Sequence, residues 1–221
     1  MTGAGMMDCK KALIEADGDY DKAQDIIRER GKLVAAKRAD RSATEGVVVS
    51  KIVGQKGYML CLACETDFVA KNSEFSATAN EILDIAIAAD AADLEALNAV
   101  AADGRTVADK VTEKSGQTGE KVELVYYAKI EAPMCVTYIH TNHKLGTLIG
   151  FNKEIGMEVA KDVAMQAAAM APISISREDC DPAVIEHERS IGREQARLDG
   201  KPEAMLDKIA EGKVNKFLTE N

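Results

Sequence analysis

The sequence contains no tryptophan, and aromatic residues make up only 4% of it. Clusters of alanine are abundant instead, which leans the chain toward helix. No segment approaches the ~18 consecutive apolar residues that a membrane-spanning helix requires. The opening, Met1-Thr2-Gly3-Ala4-Gly5-Met6, has neither the basic start nor the apolar stretch of a secretory signal. A cytoplasmic protein without membrane association is therefore expected. Positive charge is also in short supply, with 28 Lys and Arg against 37 Asp and Glu and a net charge of -9. Phosphate backbones are bound by clustered cations, so direct action on nucleic acid is not expected. Five cysteines are an odd number in a chain too long to need staples, which points to free thiols in a reducing compartment.

Signatures of chemistry are missing as well. There is no Gly-x-Ser-x-Gly elbow, no glycine-rich phosphate cradle and no cofactor fingerprint. Cys61-Leu62-Ala63-Cys64 has the spacing of a redox or zinc pair, but it falls in a strand-like run. Residues three apart on a strand point to opposite faces and do not share a metal readily, so buried core thiols are expected. His140 and His143 flank a turn with no Cys or acidic partner nearby in sequence. Nothing local pairs Cys9, Cys135 or Cys180 with either of them or with His187. The expectation is a protein that is not an enzyme and holds no cofactor or metal.

What is present, 46% hydrophobic and 29% charged residues over a length of 221, suits one compound domain or two small ones. Met6 to Gly31 reads as a helical module in which Asp8 caps a helix through Ala16 and Gly18 supplies the turn. Asp19 or Asp21 then starts a second helix that stops at Gly31. Two such short helices bury little, so a third element should pack on them. Adjacent Met6 and Met7 predict one side chain facing in and one facing out. Lys32 to Ser42 is a basic helical linker with a solvated face.

A pattern then occurs twice. Val47–Val53, a turn over Gly54–Gly57 and Tyr58–Glu65 form a hairpin, followed by a helix with Phe75, Ala79, Ile82, Leu83 and Ala86 on one face. Cys135–His140, a turn at Thr141-Asn142-His143 and Leu145–Phe151 form another, followed by a helix over Met157–Met170. Between them Leu94–Ser115 reads as helix and Lys121–Glu131 as a further strand. This predicts an α+β fold with a duplicated hairpin-plus-helix core, each helix covering a small antiparallel sheet. Asp181–Asn221 reads as a projecting helical hairpin, with Pro182 and Pro202 at helix starts and a turn at Asp199-Gly200-Lys201. Its apolar faces are marked by Ile185, Ile191 and Leu198, then Met205, Ile209, Val214 and Phe217. The implied divisions are 1–42 (helical module and linker), 43–132 and 133–176 (first and second α+β subdomains) and 177–221 (hairpin).

The most informative segment is Thr66-Asp67-Phe68-Val69-Ala70-Lys71-Asn72. It sits where a strand hands over to a helix, at what reads as a sheet edge, where loops carry function more often than packing. An aromatic beside a carboxylate there suits insertion into a partner; the plain alternative is a helix cap with Phe68 tucked into the core.

The heptad closely resembles a signature of the elongation factor Ts family. Thr2-Gly3-Ala4-Gly5-Met6-Met7-Asp8-Cys9-Lys10-Lys11-Ala12-Leu13 resembles that family's opening motif, in a module similar to ubiquitin-associated domains. Met165-Gln166-Ala167-Ala168-Ala169 with Pro172, then Gly200-Lys201-Pro202 and Lys208 to Lys213, resemble its later helix and helical hairpin. The resemblance implies a guanine-nucleotide exchange factor that promotes GDP release from elongation factor Tu during translation elongation. It carries Asp67, Phe68 and Val69 onto the segment that enters the partner beside its Mg²⁺ site, with Phe68 as wedge. Met6, Met7 and Lys10 fall on the surface that docks on the partner's GTPase domain. His140 falls on a partner-contacting turn, and Gly116 on a partner-contacting loop. It also implies pairing of two copies through the hairpin. The family has a helix before Thr2 and further strand and helix segments after the hairpin, so a shortened chain with an incomplete second subdomain is expected. A second reading of the same elements is an adaptor that binds ubiquitin or helices. Binding to nucleotide-free elongation factor Tu that is lost on adding GDP separates the two. A third reading, a thiol-dependent enzyme, requires a reactive cysteine.

Overall fold

The computed structural model of the chain describes residues 3–221, so Thr2 of the opening motif lies outside the described residues. The chain divides into two compact units, Met1–Met165 and Gln166–Asn221. The first begins with α1 (Met6–Glu15) and α2 (Tyr20–Arg38), joined through Asp17 and Gly18, both with positive φ (51° and 82°). Asp8 does not cap α1: Gly5 is the cap residue, and Asp8 sits in the first turn, where its carboxylate still complements the helix dipole. Asp19 does cap α2, accepting from the Lys22 amide at 3.1 Å. Ala12, Ala16 and Ala23, with Ile26 and Ile27, make a small core between the two helices.

Contrary to expectation, α2 does not stop at Gly31 but continues to Arg38. The glycine is used for proximity rather than termination. A Cβ built on Gly31 would meet the Gly116 Cα of α6 (Val107–Thr118) at 3.6 Å, and one on Gly116 would fall 2.4 Å from the Gly31 Cα. Two glycines facing each other let the helix backbones nearly touch. The third element that the short helices require is thus α6, and Arg28 of α2 with Arg105 straddles its Glu113 (3.8 and 2.6 Å).

The central sheet has the order β1 (Glu45–Val53), β2 (Lys56–Cys64), β5 (Glu123–Glu131), antiparallel throughout. The first hairpin turn is tighter than the four residues expected, because Val53 already pairs with Lys56 and only Gly54 and Gln55 remain. Gly54, with φ 61°, supplies the positive dihedral at the first turn position. On β2, Tyr58, Leu60, Leu62 and Cys64 face one way and join Phe75, Ala79, Ile82, Leu83 and Ala86 of α4 (Ser73–Ala89), the helical face read from the sequence. Between α4 and β5, the stretch read as one helix is instead α5 (Leu94–Ala99), a minute hairpin of β3 (Ala101–Ala102) and β4 (Arg105–Thr106), and α6. Asp103 and Gly104 cause the break: both take positive φ (54° and 76°), which matches a two-residue hairpin turn and not a helix.

The opposite face of the sheet meets the second hairpin, β6 (Met134–Ile139) and β7 (Gly146–Phe151). Gly57 of β2 looks at Leu148 and Cys135, and Gly146 looks at Val48 of β1. Beyond that hairpin, Ala160 and Ala164 of α7 (Met157–Met170) pack on Val136, Ile149 and Phe151. The first unit is therefore layered helix, three-stranded sheet, two-stranded sheet, helix, the α+β class expected.

In the second unit, α8 (Pro182–Leu198) and α9 (Glu203–Glu220) form the helical hairpin, preceded by a 3₁₀ turn at Arg177–Asp179. Pro182 opens α8 as expected, whereas Pro202 is the cap residue of α9. The seam matches the apolar faces read from the sequence only in part: Val214 is buried as read, but Ile191, Leu198 and Met205 are exposed, and Gly192, Ala196, Leu206 and Ala210 are buried instead. Small residues win because the helices run close, with Ala210 Cα only 3.1 Å from where a Gly192 Cβ would lie. Arg189 and Arg177 both reach Glu211, and Arg193 pairs with Asp207.

Candidate functional site

β2 delivers the heptad. It is the central strand, and the junction leaves it at the end of the sheet. Thr66 is extended and caps a single-turn helix, α3 (Asp67–Ala70), its Oγ1 accepting from the Val69 amide at 3.5 Å. Asn72 then caps α4 through the Glu74 amide at 2.8 Å. Two caps within seven residues define the path of the chain. Within α3, Val69 and Ala70 turn inward against the main core, while Phe68 points out and is 84% exposed. Desolvating an aromatic ring is favourable, so a ring held in water on a one-turn helix is poised to be covered by something else. The plain alternative, a ring sealed in the core, is not what the structure shows.

The residue beside it keeps its charge. Asp67 accepts from Lys71 at 2.6 Å, one turn on. That hydrogen bond and the ammonium charge, with a further contribution from Lys144, hold the carboxyl below the usual carboxylate range. A lowered value means the carboxylate stays ionised in neutral solution and gains a proton only in acid. Replacing Lys71 with Met is expected to move the Asp67 midpoint up toward an ordinary aspartate, read in a carbon-detected NMR titration; an unmoved midpoint contradicts the pairing.

Lys144 comes from the turn between β6 and β7, where it pairs with Glu45 at the start of β1. The same turn is fixed to β1 by the Val48 amide donating to the His143 carbonyl at 2.7 Å, and closed by the His140 amide donating to Leu145 at 2.8 Å. His140 is exposed, its Nδ1 2.8 Å from the Tyr138 hydroxyl. The fold thus brings the α3 segment and the turn bearing His140 and Lys144 toward the same end of the sheet, though about 75 residues separate them in sequence.

Met6 and Met7 both face solvent, at 85% and 61% exposed, correcting the expectation of one in and one out. The inward position of α1 is taken by Ala12, the buried residue of that helix, and neither methionine lies in the small core between α1 and α2. Met6, with Lys10, Leu13 and Ile14, lines a shallow groove on α1, while Met7 stands exposed beside it. Gly116 is placed differently from expectation, inside α6 and facing Gly31 rather than in a loop.

Cys64 is buried and Cys61 half-buried on the other face of β2. Burial pushes the Cys64 thiol up to about 12, and that of Cys61 up as well. Thiols are nucleophilic as thiolates, so Cys64 is expected to remain unalkylated by iodoacetamide at pH 8 in the native protein and to label fully in denaturant, by mass spectrometry. Rapid native labelling contradicts this. Among the described residues no group of three His, Cys, Asp or Glu is placed to hold a metal ion.

Sequence reading missed the support beneath α3. The Glu120 carboxylate accepts from the amides of Glu65 (3.1 Å) and Thr66 (3.0 Å) and from the Thr66 hydroxyl (2.6 Å). Glu65 in turn accepts from the Lys121 amide at 2.6 Å and from Arg38 at 3.1 Å. No spacing signals these contacts, since some 55 residues separate the two segments.

Fold and site together define an α+β protein whose most distinctive surface is a solvent-held aromatic on a rigid turn. The family model described as elongation factor TS matches residues 65–221. The elongation factor Ts of Cytophaga hutchinsonii is 46% identical over 223 residues, covering 98% of this chain and 80% of that protein. Those of Porphyromonas gingivalis and Amoebophilus asiaticus are each 47% identical, over 222 and 226 residues, covering all of this chain and 81% and 82% of theirs. The chain belongs to the elongation factor Ts family, and its role lies in translation elongation. Among the described residues, no helix is long and apolar enough to cross a membrane.

Proposed function

We propose that the chain is the nucleotide-exchange partner of elongation factor Tu, and that Phe68 and Asp67 loosen GDP by entering the partner beside its phosphate and Mg²⁺ site. The observation that carries this reading is Phe68 itself, an aromatic ring standing in water on a turn that Thr66 caps and the Asn72 cap of α4 follows. A ring so placed keeps its full apolar area available for burial in a partner. Beside it, an ionised Asp67 is repelled by phosphates and competes for cations, so its entry is unfavourable while GDP and Mg²⁺ are in place. Binding that is weakened by nucleotide must, by reciprocity, weaken nucleotide binding by the same factor. No covalent bond is made or broken in such a cycle.

The exposed face of α1, with Met6, Met7 and Lys10, supplies a second docking surface, since adaptable thioethers suit a shallow apolar contact. His140, on the turn toward the same end as α3, supplies a third contact. The reading is tested by stopped-flow release of a fluorescent GDP from elongation factor Tu. Addition of the chain is expected to accelerate release in a saturable manner, and release at the intrinsic rate at all concentrations rejects the reading.

A further inference from the structure

We infer that Glu120 is a positioning residue for Phe68, at the centre of a clasp that ends on Arg38 of the amino-terminal helical module; the inference rests on the exchange reading above. Three observations lead there. First, the two segments hold each other reciprocally. Glu120 takes the amides of Glu65 and Thr66, and Glu65 takes the amide of Lys121. Hydrogen bonds to ionised carboxylates are roughly twice as strong as neutral ones.

Second, Glu120 decides what the Thr66 hydroxyl can do. That hydroxyl has one proton and two lone pairs. The short 2.6 Å contact commits the proton to the Glu120 carboxylate and leaves the lone pairs for the Val69 amide, the bond that starts α3. Without Glu120 the hydroxyl rotates freely, and α3 is left with the few backbone bonds of a single turn, Ala70 to Thr66 at 3.2 Å and Lys71 to Asp67 at 2.9 Å, to resist fraying. The ring on its second residue then samples many directions.

Third, the clasp is anchored at both ends. Glu120 follows Gly119, whose φ of 72° ends α6, and the buried Ser115 of that last turn bonds both backbone groups of Val122. Glu65 accepts from Arg38, the last residue of α2, and α2 lies against α6 through Gly31 and Gly116. The helices that carry the α1 docking face therefore grip the same clasp that aims the ring.

The test combines Glu120→Ala, Phe68→Ala and the double variant, with Glu120→Gln as the conservative replacement. Amide hydrogen exchange of the free protein is read at Val69, Ala70 and Lys71, and nucleotide release is read with elongation factor Tu. Expected for Glu120→Ala are lost protection at those three amides with Leu60 and Leu62 of β2 unchanged, and maximal release slowed about tenfold, the scale of charge-assisted hydrogen bonds. Glu120→Gln, which keeps an acceptor, is expected to restore most of both. In the Phe68→Ala background the Glu120→Ala effect on release should vanish. Unchanged α3 protection, or an equal loss of release rate with and without Phe68, overturns the positioning role. Should Glu120→Ala perturb β2 as well, Glu120→Gln decides, and its failure to restore α3 protection also overturns it. If α3 protection is lost as expected but neither Glu120→Ala nor Phe68→Ala changes release, the exchange reading fails while the clasp stands as a structural one.

Discussion

Replacing Phe68 with Ala is expected to slow the catalysed release of GDP by roughly 30- to 150-fold, the range of an aromatic hot spot of about 2–3 kcal/mol. The melting temperature should stay within about 2 °C, because an exposed side chain away from packing contributes within about ±0.5 kcal/mol to stability. The pairing of those two results carries the meaning. Phe68 is 84% exposed, while its neighbours Val69 and Ala70 hold α3 to the core, so removing the ring takes nothing from the fold. Stopped-flow release and thermal unfolding on the same preparation check it. A large fall in melting temperature would show the ring to be structural after all, and unaltered release with an intact fold would remove Phe68 from the mechanism.

The largest expected effect on stability lies where two glycines meet. Gly116→Ala places a Cβ 2.4 Å from the Gly31 Cα, a backbone atom that cannot rotate aside. The helices must separate, at a cost of about 1–3 kcal/mol by comparison with overpacked cores. For a chain of this length that corresponds to roughly 3–10 °C in melting temperature. The reverse substitution behaves differently, since a Cβ on Gly31 meets Gly116 at an ordinary 3.6 Å. Gly31→Ala is therefore expected to be neutral or stabilising by up to about 1 kcal/mol, the helix-propensity gain of alanine over glycine. Calorimetry of the two single variants distinguishes them. Equal destabilisation by both would contradict the asymmetry.

Much of the fold was legible in the sequence where periodicity spoke. The face of α4 was read residue by residue, because Phe75, Ala79, Ile82, Leu83 and Ala86 recur at helical spacing and all are buried. The two hairpins and the strand running to Glu131 were equally legible. What was misread follows from small residues, whose meaning depends on what lies opposite. Gly31 looks like a helix stop by local rules but serves close approach to Gly116. Gly192 and Ala196 are buried in the hairpin seam while Ile191 and Leu198, more apolar, are left outside. In Asp103-Gly104 a turn hides within a stretch of helix formers, visible only through its dihedrals.

The site divides in the same way. Asp67 and Phe68 stand out as candidates in the sequence because their motif is contiguous. Glu120, Arg38 and Lys144 do not, because the contacts that give them a role are tertiary and cross some 27 to 77 residues of sequence.

Isothermal titration of the chain into elongation factor Tu across a series of GDP concentrations tests the central claim most directly. The account predicts tight binding to the nucleotide-free partner, weakened in proportion as GDP rises, with the affinity for GDP lowered by the chain to the same degree. An affinity that does not change with GDP would mean that the solvent-held ring and its acid do not compete with nucleotide, and exchange could not arise from them.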